Sequence, residues 1–539
     1  MDEGRKQRIL ILGGGFGGVY TAMELEKLVG RDPDIEIALV NKENYFVFQP
    51  MLAEVISGSV GIVETITPIR RLCPRVKLYI RQVEYIDLDK KVVVTSPGFR
   101  PRPLVLPYDH LVLALGNTTN FAEIPGLQEH AIPFKYLGDA LLLRNHVINA
   151  LEEADIETDP DLRSRLLSFV VSGGGFAGVE VVAELNDFVR EVAKGYRHID
   201  PAEIRVVLLQ GATRILPELS EDLAEFAHRI LERRKVEIRL NSLLAGGTGD
   251  YALLKGGERI LTKTLVSTVP AAPNPLLETL PCGKERGRIV VDEFLEVPGY
   301  PGVWAVGDCA WIADRSTGKP CPPTAQHAIR EGRCLARNIV ASLRGQPKSP
   351  FSFSALGKMG ALGHRSAVAE VMGIKLSGFL AWCLWRSVYL MKLPGVDRKL
   401  RVAMDWFLDL FLAPDIVQLK TARSSNISRQ HFNPGDVIFE EGDLGDQIYF
   451  IIKGEVEISQ EEGAQKLVLS KLGPGDCFGE MALVERMPRM ATARGMTALD
   501  VLTLDRAGFD DLFAHAPQLR TVFSGLIETR RKSPGSLPV

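Results

Sequence analysis

The chain has seven cysteines among 539 residues, and no two of them are spaced as a working pair. Cys73, Cys282, Cys309, Cys321, Cys334, Cys383 and Cys477 contain no C-x-x-C step, and their number is odd. A dithiol redox centre, a metal cluster and a disulfide framework are therefore not expected, and a reducing compartment is. No uncharged run reaches the ~20 residues that cross a bilayer as a helix. The strand-like RILIL starts at Arg8, so no secretory leader is expected. The formal net charge of −3 gives no basic excess that would suggest nucleic acid. The length alone points to three or four domains.

What is present is one glycine-rich sentence written twice. Residues 9–18 read ILILGGGFGG and residues 169–178 read FVVSGGGFAG. Each joins an apolar, β-branched run to a helical pattern, and each fits G-x-G-x-x-G: Gly13, Gly15, Gly18 and Gly173, Gly175, Gly178. In such a turn the first glycine makes the bend and the second lets a pyrophosphate reach the backbone. The third lets helix and strand approach, with the phosphates at the helix N-terminus. Two copies in the right context predict two dinucleotides.

An acid is missing from both modules. The second strand of a dinucleotide-binding unit is expected to end in a carboxylate for the ribose hydroxyls. Here IEIALV runs into Asn41 and IRVVLLQ ends at Gln210. Asn41 can still accept a ribose hydrogen bond. Gln210 removes the charge that would repel a 2′-phosphate, so weakened discrimination between NADH and NADPH is expected.

Further along, LVLALGN closes at Gly116–Asn117, and VPGYPGVWAVGDCAW brings a strand to Gly307–Asp308 before the helical AQHAIREGRCLARNIV. The order GxGxxG, ALGN, GxGxxG, VGD resembles the two-dinucleotide-binding-domain flavoproteins. The resemblance implies an α/β architecture of two Rossmann-like domains, the NADH domain inserted in the FAD domain. FAD-binding positions are then Gly13, Gly15, Phe16, Gly18, Asn41, Gln49, Gly116, Asp308 and Ala325, with Asp308 on the ribityl chain. NADH-binding positions are Gly173, Gly175, Phe176, Ala177, Gly178 and Gln210. The expected division is 1–118 and 290–375 for the FAD domain and 119–289 for the NAD(P)H domain.

Within that family NYFVFQPML (44–52), Glu180 of GGGFAGVE and PPTAQHAIREG (322–332) are similar to the type II NADH:quinone oxidoreductases. The resemblance implies hydride transfer from NADH to FAD and two electrons onward to a membrane quinone, without proton pumping. Glu180 is then the acid near nicotinamide and flavin; the alternative is a first-turn carboxylate favoured by the helix dipole. Gln326 matches the first glutamine of the quinone motif. Arg330 replaces the second, either to donate to a quinone carbonyl or to pair with Glu331 and hold the helix. A flavoprotein with a non-quinone acceptor and a redox or nucleotide sensor without turnover are the competing readings.

Residues 376–420 change character. LSGFLAWCLWRSVYLMKL carries Trp382, Trp385 and Tyr389; RKLRVAMDWFLDLFL carries Trp406. Arg398, Arg401, Asp405 and Asp409 make a polar helical face, and Val402, Trp406 and Leu410 an apolar one. An amphipathic pair with aromatics and flanking cations over 376–412 is expected to lie on a lipid bilayer surface. The expectation is a peripheral protein on the cytoplasmic face of the bacterial inner membrane, a homodimer by family resemblance.

After a polar linker, residues 421–539 alternate short apolar strands with glycine turns, the pattern of an all-β jelly roll. Within it GDCFGEMALVERMPRMATARG resembles the phosphate-binding cassette of cyclic-nucleotide-binding domains. Gly479 opens a short helix, Glu480 is placed for the ribose 2′-hydroxyl and Arg489 for the cyclic phosphate. Met490, Ala491 and Thr492 line the wall, and Met490 in place of threonine favours cAMP. A lid helix pair is expected over the last residues.

Overall fold

Five parallel strands form the first sheet, in the order Val303–Ala305, His110–Leu113, Gln7–Leu12, Ile35–Asn41, Lys77–Ile80. Ile9, Leu10, Ile11 and Leu12 are wholly buried. The apolar run of the central strand is unbroken because both its faces are covered. Helix α1 (Phe16–Val29) follows that strand, and a short helix α2 (Glu54–Ser57) comes later in the same module. These assignments come from a computed structural model, which describes residues 6–509 apart from 100–101, 120, 122–123, 269–270, 316–317, 354–355, 420–426, 444, 446, 463–464, 482–488 and 506–507.

A second parallel sheet takes the order Ala131–Pro133, Thr264–Ser267, Ser168–Ser172, Arg205–Leu209, Val236–Arg239. It carries α3 (Leu137–Ile156) and α4 (Phe176–Val192). The chain leaves the first sheet through Asn117–Thr119 and returns through Ala271–Pro273, and these two segments pair antiparallel. The strand Val303–Ala305 then completes the first sheet, so the second sheet is nested inside the first in sequence.

Helix α5 (Ala325–Leu343) crosses α1 closely: a Cβ on Gly332 would lie 2.7 Å from the Gly17 carbonyl oxygen. A three-stranded antiparallel sheet (Gly357–Ala361, Ala367–Val371, Ile374–Ser377) leads to α6 (Gly378–Lys392) and α7 (Val396–Leu408).

The helix pair corrects the sequence reading of its faces. Val402 and Trp406 are buried, and Trp385 with them. The polar face is split, with Arg398 and Asp405 partly covered while Arg401 and Asp409 stay exposed, as does Leu410 of the expected apolar face. Arg398 donates to Glu64 at 2.6 Å, Asp405 accepts from the Gly61 amide at 3.0 Å, and Asp409 accepts from the Ser59 hydroxyl at 3.1 Å. The outward face is instead Leu400, Met404, Phe407 and Phe411, joined by Phe379, Leu380 and Met391. Periodicity identifies an amphipathic helix but not which stripe meets the body, and here buried carboxylates opposite recruited the charges. Among the described residues no helix is long and apolar enough to cross a membrane.

The C-terminal part is two four-stranded antiparallel sheets around Tyr449, Ile451, Val456, Phe478, Leu499 and Val501. It meets the second module through Arg429 with Glu129 at 3.2 Å, the His431 amide to His130 Nε2 at 3.0 Å, and Asn433 to the Tyr251 hydroxyl at 2.7 Å. Residues 413–419 run over α3. Asn145 donates to the Leu419 carbonyl at 2.8 Å and accepts from its amide at 3.0 Å. Buried Arg144 donates to the Ile56 carbonyl at 2.8 Å and to the Asp415 carbonyl. The expected lid helices lie outside the described residues.

Candidate functional site

The two glycine turns have the same construction. Gly13 and Gly173 take φ of +108° and +117°, which an L side chain rarely adopts. A Cβ on Gly18 would sit 1.9 Å from the Gly13 carbonyl oxygen, and one on Gly178 would sit 1.7 Å from that of Gly173. The third glycine is therefore obligatory in both. Gly15 and Gly175 are the N-caps of α1 and α4, and no side chain caps either helix. The space above Gly15 is open to 4 Å, so the first turn offers a bare helix N-terminus to an anion.

The two amides that replace acids do the same job. Asn41 accepts from the Gly14 amide at 2.9 Å and donates to the Glu43 carbonyl at 2.9 Å. Gln210 accepts from the Gly174 amide at 3.3 Å and donates to the Arg214 carbonyl at 3.0 Å. Each one braces the middle glycine of its turn and ties it to the loop after the second strand. A carboxylate could accept but not donate, so the second bond is particular to the amide.

Asp308 sits in the short turn Gly307–Cys309 at the end of the first sheet. It accepts from Asn117 at 2.9 Å, and Lys135 in turn donates to Asn117. Burial raises the Asp308 carboxyl above its usual range, opposed by Lys135 and Arg288; burial likewise lowers Lys135 to about 8. Gly116 precedes Asn117 with φ of +63°, and Ala325 is the first residue of α5, whose N-terminus also lacks a side-chain cap. Asp308, Gly116, the first turn and Ala325 thus lie at the ends of adjoining elements of the first module. The open glycine, the bare N-termini and the half-buried carboxylate fit FAD.

Several expected positions act differently. The Phe16 ring is buried against Phe46, 4.9 Å between centroids, so only its backbone is available to a nucleotide. Gln49 is exposed in a short helical turn, Gln49–Met51. Ala177 is exposed on the first turn of α4, and Phe176 abuts Gly360, where a Cβ would meet its ring at 2.8 Å. Gln326 donates to the Gly357 carbonyl at 3.1 Å.

Arg330 does not pair with Glu331. Its guanidinium lies 4.0 Å from the Phe353 ring centre and donates to the Gln326 carbonyl at 3.0 Å. Glu331 is buried and accepts from the Gly307 amide at 2.8 Å, its carboxyl pushed up to about 7 by desolvation. Consecutive residues on a helix point about a quarter-turn apart, and here one faces the Asp308 turn while the other faces Phe353.

Glu180 stands in the second turn of α4, not the first, and accepts from the Ala361 amide at 3.1 Å. Burial pushes its carboxyl up to about 8. One turn on, buried Glu184 accepts from the Ser57 hydroxyl at 2.7 Å. Glu54 accepts from the Trp406 indole at 3.1 Å and lies 3.5 Å from Arg386, whose guanidinium is held between the Trp382 and Trp406 rings. Burial raises Glu54 and Glu184 as well. Sequence reasoning missed Glu54, Glu184 and Lys135. They come from segments far apart in the chain, and no local pattern marks them.

In the C-terminal part Arg489 is buried. It donates from one nitrogen to the Gly479 carbonyl at 2.7 Å and from the other to the Gln447 carbonyl at 2.8 Å, with its plane 4.1 Å from the Phe439 ring centre. Glu480 is also buried. Gly479 takes φ of +81°. Thr492 accepts from the Glu441 amide at 3.1 Å, Met490 is exposed, and Ala491 is half-buried.

Comparison with known proteins agrees with this geometry. Residues 7–332 match the pyridine nucleotide-disulphide oxidoreductase family, residues 356–413 the NDH2 C-terminal domain, and residues 429–516 the cyclic nucleotide-binding domain. A probable NADH dehydrogenase of Dictyostelium discoideum is 30% identical over 76% of this chain and 91% of its own length. The type II NADH:quinone oxidoreductase Ndh of Mycobacterium tuberculosis is 31% identical over 75% and 88%. Among solved structures, NDH2 from Plasmodium falciparum in complex with NADH superposes with a TM-score of 0.70 at 20% identity, covering 77% of this chain and all of that one. The chain therefore belongs to the type II NADH:quinone oxidoreductases, within the pyridine nucleotide-disulphide oxidoreductase family, and carries a cyclic nucleotide-binding domain at its C-terminal end.

Proposed function

We propose that this protein is a peripheral NADH:quinone oxidoreductase on the cytoplasmic face of the bacterial inner membrane, regulated by a cyclic nucleotide. FAD is held in the first module, NADH visits the second, and a membrane quinone takes the electrons. The observation that carries this reading is the doubled turn: two bare helix N-termini above two glycine bends, one of them joined to Asp308. When bound, FAD takes a hydride from the nicotinamide and passes two electrons on. The chain's own residues bind and orient. The amides at the two turns hold pyrophosphates, Asp308 takes the ribityl chain, and Lys135 through Asn117 fixes its direction. Glu180, its carboxyl raised to about 8 by burial, is the candidate proton donor.

The outward apolar face of α6 and α7 supports docking on a bilayer surface. A homodimer, as the family resemblance implies, completes the assembly. Arg489 and Glu480 in the cassette favour a retained ligand, and Met490 favours cAMP over cGMP. The test is purified yellow protein in liposomes with NADH and a ubiquinone or menaquinone analogue, with and without cAMP, and Arg489→Ala as control. Quinone-dependent NADH oxidation that changes with cAMP only in the unsubstituted protein is expected. NADH oxidation without quinone dependence would overturn the acceptor, and equal rates with and without cAMP would overturn the regulation.

A further inference from the structure

A file of hydroxyls and carboxylates runs from the interior to the surface beside α7. Glu184 Oε2 lies 2.7 Å from Ser57 Oγ. Ser57 Oγ lies 3.0 Å from Ser59 Oγ, and Ser59 Oγ lies 3.1 Å from Asp409 Oδ1. Glu184 and Ser57 are buried, Ser59 is half-buried, and the Asp409 side chain is 32% exposed. Each of these three links is within hydrogen-bond distance, and Ser57 Oγ also lies 3.1 Å from the Glu54 carbonyl, a resting acceptor for its proton.

We propose that Asp409, Ser59 and Ser57 form a proton path from the outward-facing helix pair to Glu184, one helical turn from Glu180. The inference rests on the quinone reading above. The overall reaction is NADH + H⁺ + quinone → NAD⁺ + quinol. The nicotinamide supplies two electrons and one proton as hydride, and the quinol gains two protons, so one proton per turnover comes from solvent.

Each serine hydroxyl has one proton and two lone pairs, so the file has two directions. With Glu184 protonated, hydrogen bonds run Glu184→Ser57→Ser59→Asp409. With Asp409 protonated and Glu184 ionised they run the other way. Passing one proton inward turns the file from the second arrangement to the first, breaking and forming one O–H bond at each oxygen. Glu180 lies one helical turn before Glu184, on the same face of α4. The groups that set the charge around Glu184 are Glu54, Arg386, Arg234, Glu180 and Asp409. Two arginines against four carboxylates leave room for a mobile proton. Desolvation raises the Glu184 carboxyl above its ordinary range, in the direction that favours its protonated form, and takes Glu180 to about 8.

Ser57→Ala and Ser59→Ala cut the file at its inner and outer links. The first readout needs no turnover. The infrared carbonyl band of the buried protonated carboxyls is followed after transfer to D₂O. Exchange is expected to slow at least tenfold in either variant, and Ser57→Thr, which keeps a hydroxyl, to restore it. The second readout compares acceptors. Quinone reduction should fall about tenfold with an enlarged solvent isotope effect, while reduction of ferricyanide, which takes electrons and no proton, stays at the unsubstituted rate. Unchanged exchange in both variants overturns the path, as does an equal loss with both acceptors. If the unsubstituted protein reduces ferricyanide but no quinone, the acceptor reading fails while the exchange rates still decide the path.

Discussion

Alanine at the third glycine of each turn separates a resident nucleotide from a visiting one. In Gly18→Ala the new methyl carbon starts 1.9 Å from the Gly13 carbonyl oxygen. Carbon and carbonyl oxygen come no closer than about 3.3 Å without strain, so the start of α1 must retreat by about 1.4 Å. The obstacle is backbone and cannot swing aside as a side chain would, and Ala114 Cβ lies 3.3 Å from the same position. The retreat carries the bare amides of α1 off the pyrophosphate. A displacement above 1 Å at a positioned group is worth on the order of a hundredfold, or ~2.7 kcal/mol of FAD affinity. Gly178→Ala starts tighter still, at 1.7 Å from the Gly173 oxygen, but in the other module. Gly18→Ala should purify with well under half its FAD by visible absorbance. Gly178→Ala should remain yellow and show at least a tenfold rise in NADH Kd by titration. A full complement of FAD in Gly18→Ala, or colourless Gly178→Ala with unchanged NADH affinity, would refute the assignment of the two turns.

Three further outcomes follow from the same geometry. Gln210→Glu loses the bond to the Arg214 carbonyl and restores a charge beside the 2′ position, so kcat/KM for NADPH relative to NADH should fall about tenfold or more in steady-state kinetics. Glu180 is raised by burial from an ordinary 4.5 to about 8, so between those values the unfolded chain ionises it while the folded protein keeps its proton. Stability is therefore greatest below about pH 4.5 for this group and declines as pH rises toward 8; the slope of Tm against pH should flatten in Glu180→Gln. Phe407→Asp with Phe411→Asp charges the outward face of α7 and its continuation without touching the buried Trp406. Flotation with anionic vesicles should show loss of binding with the visible flavin spectrum unchanged.

The doubly wound sheets were legible because their signals are local. An unbroken apolar run such as Ile9–Leu12 followed by a glycine cluster leaves few alternatives to a buried parallel strand and a βα turn. Asn41 and Gln210 were visible as departures, but what they do was not. Their bonds to Gly14 and Gly174 depend on the register of neighbouring strands. The carboxylates Glu54 and Glu184 were illegible for a related reason. They belong to different modules and meet only because α2 lies against α4. Helical period found the amphipathic pair at 378–408 but not which stripe meets the body, since a charge stripe reads the same whether it meets water or a buried opposite charge. Arg330 and Glu331 are adjacent in sequence, which suggested a pair that α-helical geometry denies.

The guanidinium of Arg144 has a consequence for anyone dividing this protein into parts. One of its nitrogens bonds the Ile56 carbonyl beside the carboxylate cluster, and the other bonds the carbonyl of Asp415, beyond the last helix of the redox half. A shortened chain ending at residue 412 would strand that second nitrogen in a buried site with no acceptor, at roughly 1–3 kcal/mol. It would also free Asn145 from Leu419. The natural seam between redox enzyme and cyclic nucleotide-binding domain is therefore not where the helices stop. It falls after Leu419, and the seven residues before it belong to the enzyme.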